Sequence, residues 1–261
     1  MKPDDLRAHQ QQLSKQIGDG LNKIAIAIAE VAVEEAPHKP QMLPKEAQKQ
    51  RIENELKNDF AIFKKRVENG AAELFKSIIE LSFSQPQLIS EEIGKELGKF
   101  MNFSTSLLHG KNGTNYANDI FQGKTIQEAS QLSDQAYEAL YQAAKHIYDQ
   151  QHYEQAADAF AVLAFLNGKK PTIWLALGHS EYFCHRYDAA LLAYSMAALM
   201  NPSDWTCHVH CCKCYEALHQ MDLAVNALDL ALSVIGDHKE HAESKKKVMQ
   251  HRQALIQKPS K

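Results

Sequence analysis

The stretch that decides the fold is Pro171–Pro202, PTIWLALGHSEYFCHRYDAALLAYSMAALMNP. It holds two apolar helical patterns separated by a short polar turn, and small residues occupy fixed places in both. The same arrangement recurs at a step of 34 residues on either side. Four sets of positions repeat with this period: Tyr153, Tyr187 and Met221; Ala156, Ala190 and Ala224; Phe160, Tyr194 and Leu228; Leu163, Ala197 and Ala231. A period of this length predicts stacked helix-turn-helix units.

The middle unit resembles the tetratricopeptide repeat. The residues that carry this resemblance are Trp174, Leu177, Gly178, Ala190, Tyr194, Ala197 and Pro202. The flanking units diverge, since the first has Ala143 and Ala144 in the places of the Leu-Gly pair and neither flank has the tryptophan. A glycine is common at the turn of this repeat, and here Gln151, His185 and His219 stand in its place.

The predicted fold is all-α, because no alternation typical of strands is visible. We predict a tetratricopeptide-repeat α-solenoid of three helix pairs, preceded by an N-terminal helical region. The repeats are expected at about 137–170, 171–204 and 205–238. A polar tail at about 238–257 has sparse, helically spaced apolar residues and is expected to cap the open end of the solenoid.

Residues 1–120 are predicted to be an N-terminal helical extension with a role in self-association. Its amphipathic stretch KQRIENELKNDFAIFKKRVENGAAELFKSIIELS predicts one long helix or a helical hairpin. The apolar run Ile24–Val33 is interrupted by a glutamate and is too short to span a bilayer, so it indicates a buried or self-associating helix. Breaker residues at Ala36–Pro44, Ser84–Gln87 and His109–Asn115 predict linkers or turns.

The composition is that of a soluble globular protein, with 44% hydrophobic residues, 23% charged residues and a formal net charge of −3. No strong basic excess is present, so we predict neither nucleic acid nor direct membrane insertion among its partners. The five cysteines are an odd number and are crowded together. This pattern gives no disulfide framework and favours a reducing cytoplasm.

Four of the cysteines lie in TCHVHCCKCYE, Thr206–Glu216, where a metal site has to be weighed against packing. Cys211 and Cys212 align with the Leu-Gly pair of the middle repeat, where the first helix packs on the second. A free cysteine is a small, soft hydrophobe and suits this place. A structural zinc ion normally takes four ligands from two segments, and the nearby candidates are Cys184 and His185. The sequence therefore favours packing cysteines, with no metal and no cofactor.

First helices of stacked units line a concave groove, and steps of 34 residues give its rows. The twelve predicted groove residues are Glu138, Thr172 and Thr206; Tyr141, Leu175 and Val209; Lys145, His179 and Lys213; Tyr148, Tyr182 and Glu216. The rows are aromatic and aliphatic, with a line of basic groups along them. Such a surface suits an extended peptide, because pockets take its side chains and polar groups hold its backbone. Tyr141 and Tyr148 are also compatible with simple packing inside the superhelix.

A longer run, GKTIQEASQLSDQAYEALYQAAKHIYDQQHYEQAADAFAVLAFL, leads into IWLALG and places Tyr141 and Tyr148 seven residues apart. The third unit contains VHCCKC, whose His210 and Cys214 match an F-H-A-A-E-C stretch. With these features residues 121–257 resemble the class II chaperones of bacterial type III secretion. Those proteins have three tetratricopeptide units, the two tyrosines in the first helix and the F-H-A-A-E-C stretch in the third unit.

The resemblance implies a cytoplasmic chaperone that holds hydrophobic translocator proteins before secretion. It would clamp an extended, proline-bearing segment in the groove and catalyse no reaction. The family's N-terminal helices commonly mediate dimerisation, which implies a homodimer through the extension. The extension of this chain is far longer than is usual in the family.

Other functions stay open at this point. A scaffold that grips the C-terminal carboxylate of heat-shock chaperones needs a lysine, asparagines and an arginine at set inner positions. This chain has Tyr141, Lys145, Ala176, Thr206 and His210 there, which disfavours such a clamp. A general interaction scaffold, or a regulator that titrates a transcription factor when its cargo leaves, fits the repeats equally well. An enzyme is disfavoured, because HGKNGTN lacks the spacing of a phosphate loop and neither a nucleophile elbow nor HExxH occurs.

Overall fold

The computed structural model describes residues 45–98, 119, 122–236 and 241–257. The apolar run Ile24–Val33 and the linkers 36–44 and 109–115 lie outside them. Within the described ranges the regular structure is helical throughout, which confirms the all-α prediction. No helix in this part of the chain has both the length and the apolar character needed to cross a membrane.

The N-terminal part begins with one continuous helix, α1 (Lys45–Ser84), of 40 residues. The sequence left a long helix or a hairpin open, and the long helix is what forms. It stops just before Pro86, whose ring disfavours helical backbone in the residue before it. Residues 91–98 are again helical, and a short helix α2 (Ile126–Ala129) follows with a capping box between Thr125 and Glu128.

Three helical hairpins form the repeat region. Their helices are α3 (Asp134–Asp149) with α4 (Tyr153–Leu166), α5 (Pro171–Phe183) with α6 (Tyr187–Met200), and α7 (Thr206–Ala217) with α8 (Met221–Ile235). Helix α3 begins about one turn before the predicted repeat boundary, because Ser133 caps it by accepting a hydrogen bond from the Ala136 amide.

The turns inside the hairpins use the left-handed backbone region at one equivalent residue each. The φ angles are 64° at Gln151, 59° at His185 and 59° at His219. These are the three positions where the repeat usually has glycine. The chain therefore keeps the turn geometry of the repeat but builds it from residues with a Cβ atom, at an energetic cost.

Within the middle hairpin, α5 and α6 approach through Gly178. A Cβ atom on this glycine would lie 2.5 Å from Cε1 of Tyr194. The third hairpin has Cys212 and Leu228 in the same two columns, and both are fully buried. The thiol is tolerated there because the opposite helix carries an aliphatic side chain in place of a ring. This agrees with the prediction that the cysteines fill close-packing positions.

Helix α1 packs directly on the first repeat, against α3 and α4. It buries Leu74 and Leu81, and Ser77 Oγ donates a 3.0 Å hydrogen bond to the Ala143 carbonyl. The closest approach is at Gly70, where an added Cβ would lie 2.1 Å from the carbonyl oxygen of Asp158. The described part of the extension is thus an added layer on the solenoid.

Charged side chains reinforce this layer. Arg66 of α1 donates from Nε to Asp158 Oδ1 at 2.8 Å, and its Nη2 lies 2.6 Å from Glu181 Oε1. Glu181 is only 1% exposed and also pairs with Arg186. Two cations and two anions therefore meet where α1, α4 and α5 join, and the two arginines compensate the charge of the buried Glu181 carboxylate.

The solenoid ends in α9 (Ala242–Gln257), which packs on α8 and buries Val248 and Leu255. Arg252 Nη2 donates to Asp229 Oδ2 at 3.2 Å, and Lys245 Nζ donates to the Gly236 carbonyl at 2.8 Å. The opposite side of α9 is exposed and mostly polar, although Met249 and Ile256 are 53% and 51% exposed.

Candidate functional site

The twelve predicted groove residues lie on the three first helices, four on each. Helix α3 carries Glu138, Tyr141, Lys145 and Tyr148; α5 carries Thr172, Leu175, His179 and Tyr182; α7 carries Thr206, Val209, Lys213 and Glu216. Each of them is at least partly accessible. We call this set the first-helix face. Tyr141 and Tyr148 are accessible and also pack against the core, so they fit both hypotheses, contact with a peptide and packing inside the superhelix.

One end of the first-helix face opens into a pocket of about 210 Å³ between α3 and α5. The pocket is lined by Tyr137, Glu138, Tyr141, Lys170, Thr172 and Ile173. Three of these are predicted groove residues from two helices. Lys170 Nζ lies 4.3 Å from the centroid of the Tyr137 ring, and the Tyr137 hydroxyl donates to the Leu163 carbonyl at 2.9 Å. The pocket thus combines rigid aromatic walls with one cation and one carboxylate.

The other end of α3 and α5 carries a cluster of aromatic rings. Tyr148 meets Tyr153 edge-on with centroids 5.3 Å apart, and Tyr153 stacks on Phe183 at 4.7 Å. Tyr182 contacts Phe183 at 5.8 Å and Tyr187 at 5.5 Å. Phe183 is 47% exposed, so this cluster offers apolar surface to a partner.

Phe183 was missed by the sequence reading. The 34-residue period relates Tyr148 to Tyr182 and not to Phe183, the next residue. The sequence feature that indicates Phe183 is the adjacent pair Tyr182 and Phe183. Helix α5 ends at Phe183, so both rings lie at its C-terminus.

Two histidines connect α5 and α7. His179 Nε2 and His210 Nε2 are 3.3 Å apart, and the His210 ring stacks on Tyr194 with centroids 5.0 Å apart. Burial, together with His179 and Lys213, lowers the pKa of His210 to about 4. Burial and then Lys213 also lower the pKa of His179. Both imidazoles are therefore neutral near pH 7, and one ring can donate to the other.

The predicted line of basic groups is weaker than its residue types suggest. His179 is held neutral, and Lys145 pairs with Asp149 one turn along α3. Lys213 remains as an exposed cation in this row. The first-helix face is accordingly governed more by aromatic and aliphatic surface than by charge.

Several polar members of the face have partners within the chain. The Thr206 amide donates to Asp204 Oδ1 at 3.0 Å at the start of α7. Gln142 Nε2 donates to Glu138 Oε1 at 2.8 Å. Glu216 Oε1 lies 2.8 Å from His251 Nε2 of the capping helix, a residue that the sequence reading did not connect with the groove. The Glu216 carboxylate thus ties α7 to α9.

Comparison with known proteins supports the resemblance drawn from the motifs. No family model matches the chain. Low calcium response locus protein H of Yersinia pestis is 28% identical over 133 residues, which are 51% of this chain and 79% of that protein. The type III secretion chaperone SycD of Yersinia enterocolitica, solved with a peptide of the translocator YopD, is 26% identical, with 48% of this chain and 95% of that chain covered and a TM-score of 0.45.

A type III secretion complex from Aeromonas hydrophila shares the fold at a TM-score of 0.50. It is 19% identical, and the match covers 54% of this chain and 93% of that chain. This structure confirms the helical repeat fold predicted from the 34-residue period. The repeat region of the chain is similar to the translocator chaperones of type III secretion, as its tyrosine pair and third-repeat motif predicted.

Proposed function

We propose that the chain is a cytoplasmic chaperone that binds an extended segment of hydrophobic type III secretion translocator proteins on its first-helix face. The observation that carries the proposal is the alignment of accessible aromatic and aliphatic side chains on three successive helices. Tyr141, Leu175 and Val209 form one such row, and Tyr148 and Tyr182 begin another. A peptide lying across the helices would meet the members of one row in turn, one on each first helix.

The chemistry of this face suits a segment with apolar anchors. Rigid rings bury a large area at a small cost in side-chain entropy, and the pocket beside Tyr141 and Thr172 is large enough for an aliphatic side chain. The neutral His179 and His210 pair leaves the middle of the face without strong charge. Binding would therefore draw on burial of apolar surface and on hydrogen bonds to the peptide backbone.

The partner class follows from the relatives. SycD has been solved with a peptide of a translocator, and its sequence likeness to this chain spans nearly the whole of SycD. Translocators are hydrophobic, so a chaperone that covers an extended segment would keep them soluble until secretion. The proposal includes a homodimer through the N-terminal helices, and it includes neither nucleic acid, nor direct membrane insertion, nor a catalysed reaction.

The test is binding to the hydrophobic secreted proteins encoded near this chain's gene. Co-expression is expected to give a soluble complex, and Tyr141→Ala combined with Tyr148→Ala is expected to weaken it at least about 30-fold, as loss of two anchoring rings does elsewhere. Affinity of the purified pair, measured by titration calorimetry, gives the readout.

A matched control changes the opposite side of the molecule. Leu192→Ala with Leu199→Ala removes two exposed leucines of α6 and is expected to leave the affinity within about twofold of wild type. A soluble complex that resists the tyrosine changes but is lost with the leucine changes would move the binding surface to the outer side. Absence of any complex would favour a general interaction scaffold without secretion cargo.

A further inference from the structure

Three potential metal ligands converge at the junction of α7 and α9. They are Cys212 and Glu216, one turn apart on α7, and His251 of the capping helix. One ligand atom from each lies within 4.8 Å of the others. Among the described residues, these three are the group of cysteine, histidine and acidic side chains whose ligand atoms all lie this close together. The site is distinct from the pocket and from the aromatic cluster of the first-helix face.

The spacing of these atoms is close to that of a tetrahedral zinc site. Cys212 Sγ lies 3.5 Å from Glu216 Oε1, and Glu216 Oε1 lies 2.8 Å from His251 Nε2. With Zn–S of about 2.3 Å and Zn–O of about 2.0 Å, tetrahedral angles separate sulfur and oxygen by about 3.5 Å. Nitrogen and oxygen ligands are separated by about 3.3 Å on the same grounds. The sulfur–oxygen pair is already at this separation, and the His251 ring has to move away from Glu216 to bind the same ion.

The three ligands differ in solvent exposure in a way that suits a bound ion. Cys212 is fully buried, whereas the side chains of Glu216 and His251 are 24% and 35% exposed. The thiol is held in place by the packing of α7 on α8, and the other two ligands face the solvent side. An ion can thus enter from solvent and keep one coordination position for water, while sulfur, nitrogen and oxygen form a donor set that zinc accepts.

We infer that Cys212, Glu216 and His251 form a binding site for a single Zn²⁺ ion that fastens the capping helix to the third repeat. Binding breaks the S–H bond of Cys212, forms a Zn–S bond and releases the proton to solvent, so charge and atoms balance without a redox partner. The ion replaces the hydrogen bonds that Glu216 makes with Cys212 and His251 by bonds to one centre.

The three ligands come from two segments, and water fills the fourth position of the ion. From the sequence, the candidates for the second segment are Cys184 and His185, at the end of α5. The second segment is instead α9, which supplies His251 from the polar tail. No repeat column points to this residue, because α9 lies beyond the third repeat.

The experiment loads the full-length, metal-free protein with Zn²⁺ or Co²⁺. One equivalent of Zn²⁺ is expected to bind and to raise the thermal unfolding temperature. With Co²⁺ a thiolate-to-metal charge-transfer band is expected in the near ultraviolet. His251→Gln and Cys212→Ser are each expected to weaken Zn²⁺ binding by more than about 100-fold, since even loss of an outer partner costs about 10- to 100-fold.

Matched controls remove the same residue types elsewhere. His152→Gln changes an exposed histidine, and Cys184→Ala changes a half-buried cysteine outside the site; both should bind Zn²⁺ as the wild type does. His251→Cys supplies a second thiolate at the solvent-facing position and is expected to restore binding with a stronger Co²⁺ charge-transfer band. This rescue separates loss of a ligand from loss of folding.

The inference is overturned if the wild-type protein binds no Zn²⁺ at micromolar concentration. It is equally overturned if binding persists unchanged in both His251→Gln and Cys212→Ser, or if His251→Cys folds but gives no thiolate band. The zinc site shares Glu216 with the first-helix face, so the variants tested are at Cys212 and His251, which lie outside that face.

Discussion

Helices α4 and α6 occupy equivalent places in successive repeats but have opposite surroundings. Ten of the 14 residues of α4 are buried, including Ala157, Ala161 and Val162 on the side away from α3. Helix α6 buries only the side that faces its neighbours, and its Leu192 and Leu199 are each 66% exposed. The difference arises from α1, which covers the outer side of α4 and does not reach that of α6.

The comparison teaches how a repeat array acquires a fixed end. Small residues on α4 let a further helix approach, and Asp158 supplies a carboxylate for Arg66 of that helix. The equivalent position in α6 is Leu192, which has no such partner and remains in solvent. The first repeat is therefore specialised to receive the extension, whereas the second keeps an outer face of ordinary amphipathic helix.

The largest expected effect is a difference in the free energy of unfolding between two variants, one with a new glutamate on the outer side of α4 and one with it on the outer side of α6. Ala161→Glu would bury a carboxylate between α4 and α1 without a partner and should lower the free energy of unfolding by about 3–5 kcal/mol. Leu192→Glu is the matched change on α6 and should stay within about 0.5 kcal/mol of wild type. Urea unfolding followed by circular dichroism measures both. Equal destabilisation by the two changes would mean that α1 does not cover α4.

A smaller effect is expected from adding one methyl group at the contact itself. Gly70→Ala places a Cβ against the Asp158 carbonyl, so α1 must shift away from α4, and we expect a loss of about 1–3 kcal/mol. Gly94→Ala is the control, because a Cβ there meets no atom within 4 Å. Hydrogen exchange should detect faster exchange in α4 of the Gly70 variant alone. Unchanged protection of α4 would contradict the close packing of α1.

The smallest effect concerns the turns, where the two repeats are alike. Gln151→Gly and His185→Gly each place glycine at a positive φ angle, in the turn inside a hairpin. Each is expected to raise the free energy of unfolding by up to about 1 kcal/mol, since relief of left-handed strain exceeds the added chain entropy. Thermal unfolding checks this. A loss of stability in one repeat but not in the other would show that the turns are not equivalent.

The repeat region was predictable because its residues report on neighbours that recur at a fixed distance in sequence. The alanine column at Ala156, Ala190 and Ala224 reflects the same local packing three times. The docking of α1 was not predictable in this way, because it occurs once and joins segments far apart in sequence. In the sequence, the docking of α1 is indicated only by Asp158, an acidic residue within an apolar stretch of α4. Its cation partner, Arg66, lies on α1.

In the candidate site, too, the features that follow from the 34-residue period were predictable, and those that depend on contacts between distant segments were not. The accessible rows of the first-helix face follow from the period, so Tyr141 and Tyr182 could be named from sequence. The neutral state of His179 could not, because burial and then Lys213 of the next repeat lower the pKa of its imidazole. The pairing of Glu216 with His251 depends on where the capping helix turns back, which no column encodes.

The most direct test of the function is to locate bound translocator with a photo-crosslinking amino acid placed on either side of the second repeat. Tyr182 on the first-helix face and Leu199 on the outer face are both accessible and belong to the same hairpin. We predict strong crosslinking of the translocator from position 182 and background crosslinking from position 199. Crosslinking from position 199 with none from position 182 would contradict binding on the first-helix face.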